Sequence, residues 1–127
     1  MKNHFQSLGG LKVAVLGLAF KPGTDDIRES PAISILKDLL AQKAIVKAYD
    51  PVAQVNAQEL LNENNILFCD DLIDAVNDVH AIVLVTRWEE FNKIPDLLRN
   101  QDPQPLVIDG RRMLDKYSIA RYEGIGL

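Results

Sequence analysis

Short continuous runs of apolar residues recur along the chain, separated by segments with apolar residues at helical spacing. The runs lack the alternation of apolar and polar residues that marks a strand with one solvent-facing side, so they are typical of strands buried on both faces. The predicted strands lie in LKVAVLGLAF, AIVKAYDP, NILFCD, HAIVLVT and PLVIDG, with a terminal edge strand in ARYEGIGL. Strands that alternate with helices predict an α/β fold, here a three-layer sandwich with a Rossmann-like, mainly parallel sheet flanked by helices.

Capping residues mark the predicted helices as well as periodicity does. Ser30 can accept hydrogen bonds from free backbone N–H groups, and Pro31 suits the first helical position because it has no N–H to leave unpaired. Apolar residues at helical spacing follow, and we expect this helix to end near Lys43. Further helices are predicted over residues 53–63 and 71–78 and, as two short pieces, in RWEEF and IPDLLRN.

Composition narrows the classes of function. Of the 127 residues, 47% are hydrophobic and 25% are charged, which suits one ordinary domain with its own core. The net charge of -4 gives no overall attraction to nucleic acid or to acidic membranes, and no apolar run reaches the roughly 18 residues of a membrane span. Cys69 is the only cysteine, so intrachain disulfides and multi-cysteine metal sites are excluded, and a cytoplasmic location is expected. Residues 1–10 are expected to form a flexible lead-in to one domain over residues 11–127.

Ligands of such folds usually bind at the carboxyl ends of the strands, so the loops there are candidate sites. The loop over residues 17–30 lacks the G-x-G-x-x-G pattern of a dinucleotide-binding turn, because bulky residues lie between its glycines. Its cations suggest another use: Lys21 can reach a phosphate or a sugar hydroxyl, and Arg28 can add a bidentate contact to a phosphate. Asp25 and Asp26 would hold either cation in place. The alternative is a solvated loop whose ion pairs contribute little.

Two further positions allow both a binding and a structural interpretation. Arg111 and Arg112 follow the last clear strand, where ligands bind, but the Asp-Gly dipeptide before them is also typical of a surface turn. Asp50 ends the second strand, as the ribose-binding acid of a dinucleotide-binding fold does, although it follows Gly17 by more than the usual ~20 positions. An ordinary Asp-Pro turn is the alternative interpretation of Asp50.

The remaining polar and aromatic residues are interpreted as structural. Trp88 and Phe91 are expected to pack a short helix onto the sheet, and Cys69 is expected to be a small core residue. Four aspartates are predicted to lie on one acidic helix with a solvated face, because they lack the spacing of a calcium-binding loop. These aspartates are Asp70, Asp71, Asp74 and Asp78.

Several motifs resemble those of one enzyme family. The segment GLAFKPGTDDIRESPA is similar, nearly letter for letter, to the C-terminal domain of the UDP-glucose/GDP-mannose dehydrogenases, and the similarity continues through AYDP, TRWEEF and VIDGRRMLD. It covers about residues 10 to 115. VIDGRRMLD looks more like the UDP-glucose branch of the family than the GDP-mannose branch. The resemblance implies that residues 11–127 form a C-terminal UDP-sugar-binding domain.

The resemblance also implies partners that lie outside this chain. Enzymes of this family combine an N-terminal NAD-binding domain, a central dimer-forming region and the C-terminal domain, and they oxidise the sugar C6 alcohol to a carboxylate in two NAD-dependent steps through a catalytic cysteine. Neither the NAD fingerprint nor that cysteine motif occurs here, so we expect the chain to be inactive alone and the full enzyme to be a homodimer or larger. A stand-alone nucleotide-sugar-binding module, an assembly scaffold, and a dehydrogenase of GDP-mannose or another UDP-sugar are alternatives.

The motif matches assign expected roles to individual residues. Phe20 and Lys21 match family residues that contact the UDP-sugar, with Lys21 near the sugar and phosphates, and Arg111 matches an arginine that contacts the substrate. Arg28 matches the arginine of the RES motif, which reaches the NAD of the N-terminal domain. Arg112 is a weaker match. The resemblance places no catalytic residue and no metal ligand on this chain.

Overall fold

The strands form one sheet in which every neighbouring pair is parallel. The computed structural model describes residues 10–18, 31–52, 54, 58, 65–86, 88–99, 101, 104–110, 113–114 and 122–124. The strands are β1 (Lys12–Leu16), β2 (Ile45–Tyr49), β3 (Ile66–Phe68), β4 (Ala81–Leu84), β5 (Leu106–Asp109) and β6 (Tyr122–Gly124). Their order across the sheet is β3-β2-β1-β4-β5-β6. The predicted parallel sheet and the terminal edge strand are therefore confirmed.

The helices follow the strands as the periodicity predicted. Of the helix predicted over residues 53–63, the structure describes Gln54 and Gln58, and both are helical. Residues 1–9 of the predicted lead-in lie outside the described residues. The helices described in full are α1 (Pro31–Ala41), α2 (Leu72–Val76), a 3-10 helix (Glu89–Lys93) and α3 (Ile94–Leu98). The last two confirm the two short helical pieces expected in RWEEF and IPDLLRN.

Successive residues of the central strands point to opposite sides of the sheet and build two separate cores. Val13 and Val15 of β1 pack with α1 in one core, whereas Ala14 and Leu16 pack with α2, the 3-10 helix and α3 in the other. Every residue of β4 and all but the first residue of β1 are buried, so the centre of the sheet is covered on both faces. The predicted three-layer sandwich is confirmed.

The end of α1 is fixed by two backbone hydrogen bonds that close the helix. The N–H of Lys43 donates to the carbonyl of Leu40 (3.0 Å), and the N–H of Ala44 donates to the carbonyl of Leu39 (3.1 Å). Lys43 has a φ of 68°, the left-handed conformation that ends helices in this way. The turn satisfies the last carbonyls and directs the chain into β2, and the helix ends near Lys43 as predicted.

The prediction of one acidic helix was wrong in its extent, although all four of its aspartates are exposed as expected. Only Asp74 lies within α2. Asp71 precedes the helix and caps it, because its carboxylate accepts a hydrogen bond from the N–H of Asp74 (2.7 Å). Asp78 follows the helix with a φ of 55° and pairs with Lys12 at 2.8 Å. Capping and ion pairing therefore ended a helix that composition alone would have extended.

Cys69 is a buried core residue at the end of β3, as predicted. Burial, reinforced by the negative charge of Asp74, raises the pKa of the thiol from 9.0 to about 11. Because a raised pKa reduces the thiolate fraction about 100-fold at about pH 8, we expect an aromatic disulfide reagent to react with the folded chain at least that much more slowly than with the chain in urea. Since no other cysteine exists, the released chromophore measures Cys69 alone. Folded and unfolded rates within about tenfold of each other would contradict this assignment.

Candidate functional site

The candidate site lies where the direction of strand order reverses. From β1 the chain proceeds outward through β2 to β3, whereas β4 returns to the other side of β1 and leads to β5 and β6. In open α/β sheets, the carboxyl ends of the two strands at such a reversal are the usual place for a ligand-binding crevice. The described residues that meet at this position are Gly17, Leu18, Asp50, Thr86 and Trp88.

Gly17 brings the backbone at the end of β1 against the chain that follows β4. Its φ is 93°, and a Cβ atom at this position would lie 2.5 Å from the Cβ of Thr86 and 2.6 Å from the backbone nitrogen of Thr86. Its N–H donates to the carbonyl of Tyr49 at 2.8 Å. Position 17 therefore requires glycine because a side chain there would collide with Thr86. The protein itself explains this glycine, and the sequence around it lacks the dinucleotide fingerprint.

Asp50 is a buried residue, 3% exposed, whose carboxylate accepts hydrogen bonds from three of the described segments. Its Oδ1 accepts a hydrogen bond from the N–H of Val52 (2.8 Å), which is the turn predicted for Asp50-Pro51. Its Oδ2 accepts hydrogen bonds from the N–H of Leu18 (2.7 Å) and from Nε1 of Trp88 (3.0 Å). The turn interpretation is confirmed, and both oxygens are engaged by the protein at the position where a ribose-binding acid would lie.

Tyr49, the neighbour of Asp50, makes a second connection to the same motif. Its hydroxyl donates to Oε1 of Glu90 at 2.6 Å, and its ring lies 6.3 Å from the ring of Phe91 between centroids. Burial raises the pKa of Tyr49, and the hydrogen bond to Glu90 and the negative charge of Glu90 raise it further, so the phenol remains a donor. These contacts join the AYDP motif to the TRWEEF motif across the end of β1, where Gly17 has no side chain. Phe91 is fully buried and Trp88 packs against both cores, as predicted for this pair.

Asp109 makes comparable contacts at the carboxyl end of β5. Its side chain is fully buried at the end of β5, and its Oδ2 accepts hydrogen bonds from the N–H of Leu114 (2.8 Å) and from the hydroxyl of Tyr122 (3.0 Å). The N–H of Gly110 donates to the carbonyl of Leu84 at 2.9 Å. The carboxylate therefore connects the end of β5 to Leu114 and to Tyr122 of β6.

The residues predicted to contact ligands lie outside the described part of the chain. They are Phe20, Lys21, Arg28, Arg111 and Arg112. The structure describes the loop anchors Leu18, which precedes Phe20 and Lys21, and Gly110, which precedes Arg111. Both anchors lie at the carboxyl ends of strands. Because β1 and β5 both flank β4, the ends of the two strands lie about 10 Å apart, twice the usual spacing between strands.

The turn at Asp50 was predicted from the sequence, but the hydrogen bonds that Asp50 and Asp109 accept from other segments were missed. Each carboxylate accepts from donors that are distant in sequence, and only their place at the ends of apolar strands signalled importance. Among the described residues, no group of three histidine, cysteine or acidic side chains is arranged to hold a metal ion. No helix in the described ranges has the length and apolar character needed to cross a membrane.

Comparison with known proteins agrees with the motif resemblance. A family model described as the UDP-binding domain of the UDP-glucose/GDP-mannose dehydrogenase family matches residues 14–116. The chain is 41% identical over 128 residues to a UDP-glucose 6-dehydrogenase of Rickettsia conorii, covering 94% of this chain and 29% of that protein. It is 42% identical over 118 residues to a UDP-glucose 6-dehydrogenase of Haloferax volcanii, covering 93% of this chain and 27% of that protein.

A solved structure shows the same fold. A UDP-glucose dehydrogenase from the archaeon Pyrobaculum islandicum superimposes with a TM-score of 0.82 at 31% sequence identity, covering 97% of this chain and 27% of that chain. The chain therefore spans less than a third of the length of each of these relatives.

Proposed function

Because this chain belongs to the UDP-glucose/GDP-mannose dehydrogenase family and matches its UDP-binding domain, we propose that it is the nucleotide-sugar-binding domain of an NAD-dependent UDP-glucose 6-dehydrogenase. In this proposal it binds the UDP end of UDP-glucose at the carboxyl edge of its sheet. The complete enzyme would oxidise the sugar to UDP-glucuronate in two steps.

The main support for this proposal is the position of the two loop anchors, Leu18 and Gly110. Leu18, at the start of the loop with Phe20 and Lys21, and Gly110, next to Arg111, lie at the ends of two strands that flank β4. A separation of about 10 Å is within reach of long cationic side chains extending from both loops toward one diphosphate. Lys21 and Arg111 would neutralise the phosphates, and Phe20 would contact the UDP-sugar.

The hydride acceptor, NAD, would be held mainly by another domain of the enzyme. This chain does not offer an NAD pyrophosphate site in its first turn, because Ala19 and Pro22 stand where the fingerprint requires glycine and Gly17 packs against Thr86. Arg28, which begins the RES motif, would reach across to that cofactor. NAD supplies hydride acceptance, and this chain would supply the binding and orientation of the nucleotide sugar.

We also propose that the chain alone does not catalyse the oxidation. Its one cysteine, Cys69, is 2% exposed, and burial raises its pKa, so it has neither the access nor the ionisation that a catalytic nucleophile needs. The cysteine that forms the covalent intermediate would come from the rest of the enzyme. The full enzyme would be a cytoplasmic homodimer or larger assembly.

Fluorescence of Trp88, the only tryptophan, offers a direct test because its indole donates to Asp50 beside the proposed site. We expect UDP and UDP-glucose to change the emission saturably, with a Kd on the order of millimolar because few contacts offset the entropy of association. GDP should bind more weakly. Excitation at the red edge of the indole band avoids absorption by the nucleotides. Equal responses to UDP and GDP, or no response at several millimolar UDP, would contradict the proposed function.

A further inference from the structure

We propose that Asp50 is a positioning residue for the nucleotide site, acting through Leu18 and Trp88 instead of touching the ligand. Its carboxylate would hold Leu18, just after β1, and Trp88, just after β4, in fixed positions beside the proposed site. The effect on ligand affinity rests on the proposed function, whereas the effect on Leu18 and Trp88 does not.

Three donors from the described part of the chain converge on the buried carboxylate of Asp50. The N–H groups of Leu18 and Val52 and the indole N–H of Trp88 lie 2.7, 2.8 and 3.0 Å from its oxygens. An ionised carboxylate only accepts hydrogen bonds, and bonds to a charged acceptor are stronger than neutral ones, more so away from water. An amide of the same shape would present an N–H₂ group to at least one of these donors.

Asp50 connects two strands that are not neighbours in the sheet. It directly follows β2 and Trp88 follows β4, and β1 lies between these two strands. The connection crosses the end of β1 next to Gly17, where no side chain blocks it. The carboxylate of Asp50 therefore connects the segment after β2 to the segment after β4.

Lys21, the predicted cation, is close along the chain to Leu18, whose N–H donates to Asp50. Leu18 is anchored by its fully buried side chain and by the hydrogen bond of its N–H to Asp50, and only Ala19 and Phe20 separate it from Lys21. The orientation of the Leu18 peptide therefore sets where the loop starts. A displacement of about 1 Å in a positioned group can reduce function about 100-fold.

The test compares Asp50→Ala, Asp50→Asn and Trp88→Phe with the unaltered chain. Val79→Ala is the matched control, because Val79 is a buried core residue just before β4, at the opposite edge of the sheet. The single tryptophan gives one indole N–H signal in a ¹⁵N–¹H spectrum. Its rate of hydrogen exchange reports on the Asp50–Trp88 contact without any ligand. The Kd for UDP is taken from amide shifts of folded molecules, well below the melting temperature of each variant.

We expect Asp50→Ala to speed exchange of the indole N–H, to shift the Leu18 amide and to raise the Kd for UDP about tenfold, with Asp50→Asn intermediate. Trp88→Phe should raise the Kd by less, and in combination with Asp50→Ala it should add little, because both changes remove the same contact. Val79→Ala should lower the melting temperature and leave the Kd and the indole exchange unchanged.

A fall in melting temperature with unchanged Kd in every Asp50 variant would overturn the proposal and leave Asp50 a stabilising residue only. If Asp50→Ala does not fold, Asp50→Asn and Trp88→Phe decide the question by the same criteria. If the unaltered chain does not bind UDP, the proposed function fails. The positioning proposal is then judged by the indole exchange and the Leu18 amide, and it fails if Asp50→Asn changes neither.

Discussion

Replacing Gly17 with alanine is expected to destabilise the domain by about 3 kcal/mol or more, which is a large share of the ~5–15 kcal/mol that stabilises a typical domain. The new Cβ would lie 2.5 Å from the Cβ of Thr86 and 2.6 Å from its backbone nitrogen, so a backbone segment at the centre of the sheet would have to move. A φ of 93° adds conformational strain, which costs an L-residue roughly 1–2 kcal/mol.

Gly10→Ala is the matched control for this effect. Gly10 also has a positive φ, 79°, but a Cβ at that position meets nothing within 4 Å. We expect Gly10→Ala to cost about 1 kcal/mol, from backbone strain alone. Urea denaturation of both variants measures the difference in free energy of unfolding. Equal losses of unfolding free energy in Gly10→Ala and Gly17→Ala would show that the contact with Thr86 adds nothing to the cost of a side chain at position 17.

Replacing Lys21 with alanine is expected to weaken UDP binding by more than tenfold. A contact between an ammonium group and a phosphate is charge-assisted and contributes roughly 1.5–3 kcal/mol, which corresponds to at least that factor. The motif resemblance places Lys21 near the sugar and phosphates, three residues after the anchored Leu18. The fold should be unaffected, because the substitution leaves the Asp50 contacts in place.

Lys37→Ala controls for the loss of one positive charge. Lys37 is an exposed residue in the middle of α1, and its removal changes the net charge by the same amount. We expect its effect on the Kd for UDP to be less than about twofold, since exposed charges are screened by salt over about 10 Å. The initial slopes of the titrations compare the variants even where binding does not saturate. Similar slopes for Lys21→Ala and the unaltered chain would remove Lys21 from the site.

Much of the fold could be predicted because burial on both faces leaves a direct mark on sequence. The apolar runs of β1 and β4 indicated strands buried on both faces, and Pro31 marked the start of α1. The acidic helix was the main error. Its length depends on whether Asp71 caps it and whether Asp78 pairs with Lys12, and the partner of Asp78 lies in a distant strand.

The candidate site was predictable in its location and motifs but not in its supporting contacts. The carboxyl edge followed from the α/β pattern, and the binding residues followed from the motif resemblance. The role of Asp50 depends on donors from Leu18 and Trp88, which meet only in the folded chain. The need for glycine at position 17 likewise depends on Thr86, a residue of another strand end. Both are properties of tertiary packing.

A titration of the ¹⁵N-labelled chain with UDP, followed by amide shifts, decides whether the carboxyl ends of the strands bind this nucleotide, with GDP as the control. We expect shifts centred on the Leu18 and Gly110 amides and the Trp88 indole, and these shifts should be larger for UDP than for GDP. The signals of the Gly10 and Ala44 amides, at the amino ends of the strands, should not shift. Shifts centred on the amino ends, or no shifts at several millimolar UDP, would contradict a UDP site at the strand-order reversal.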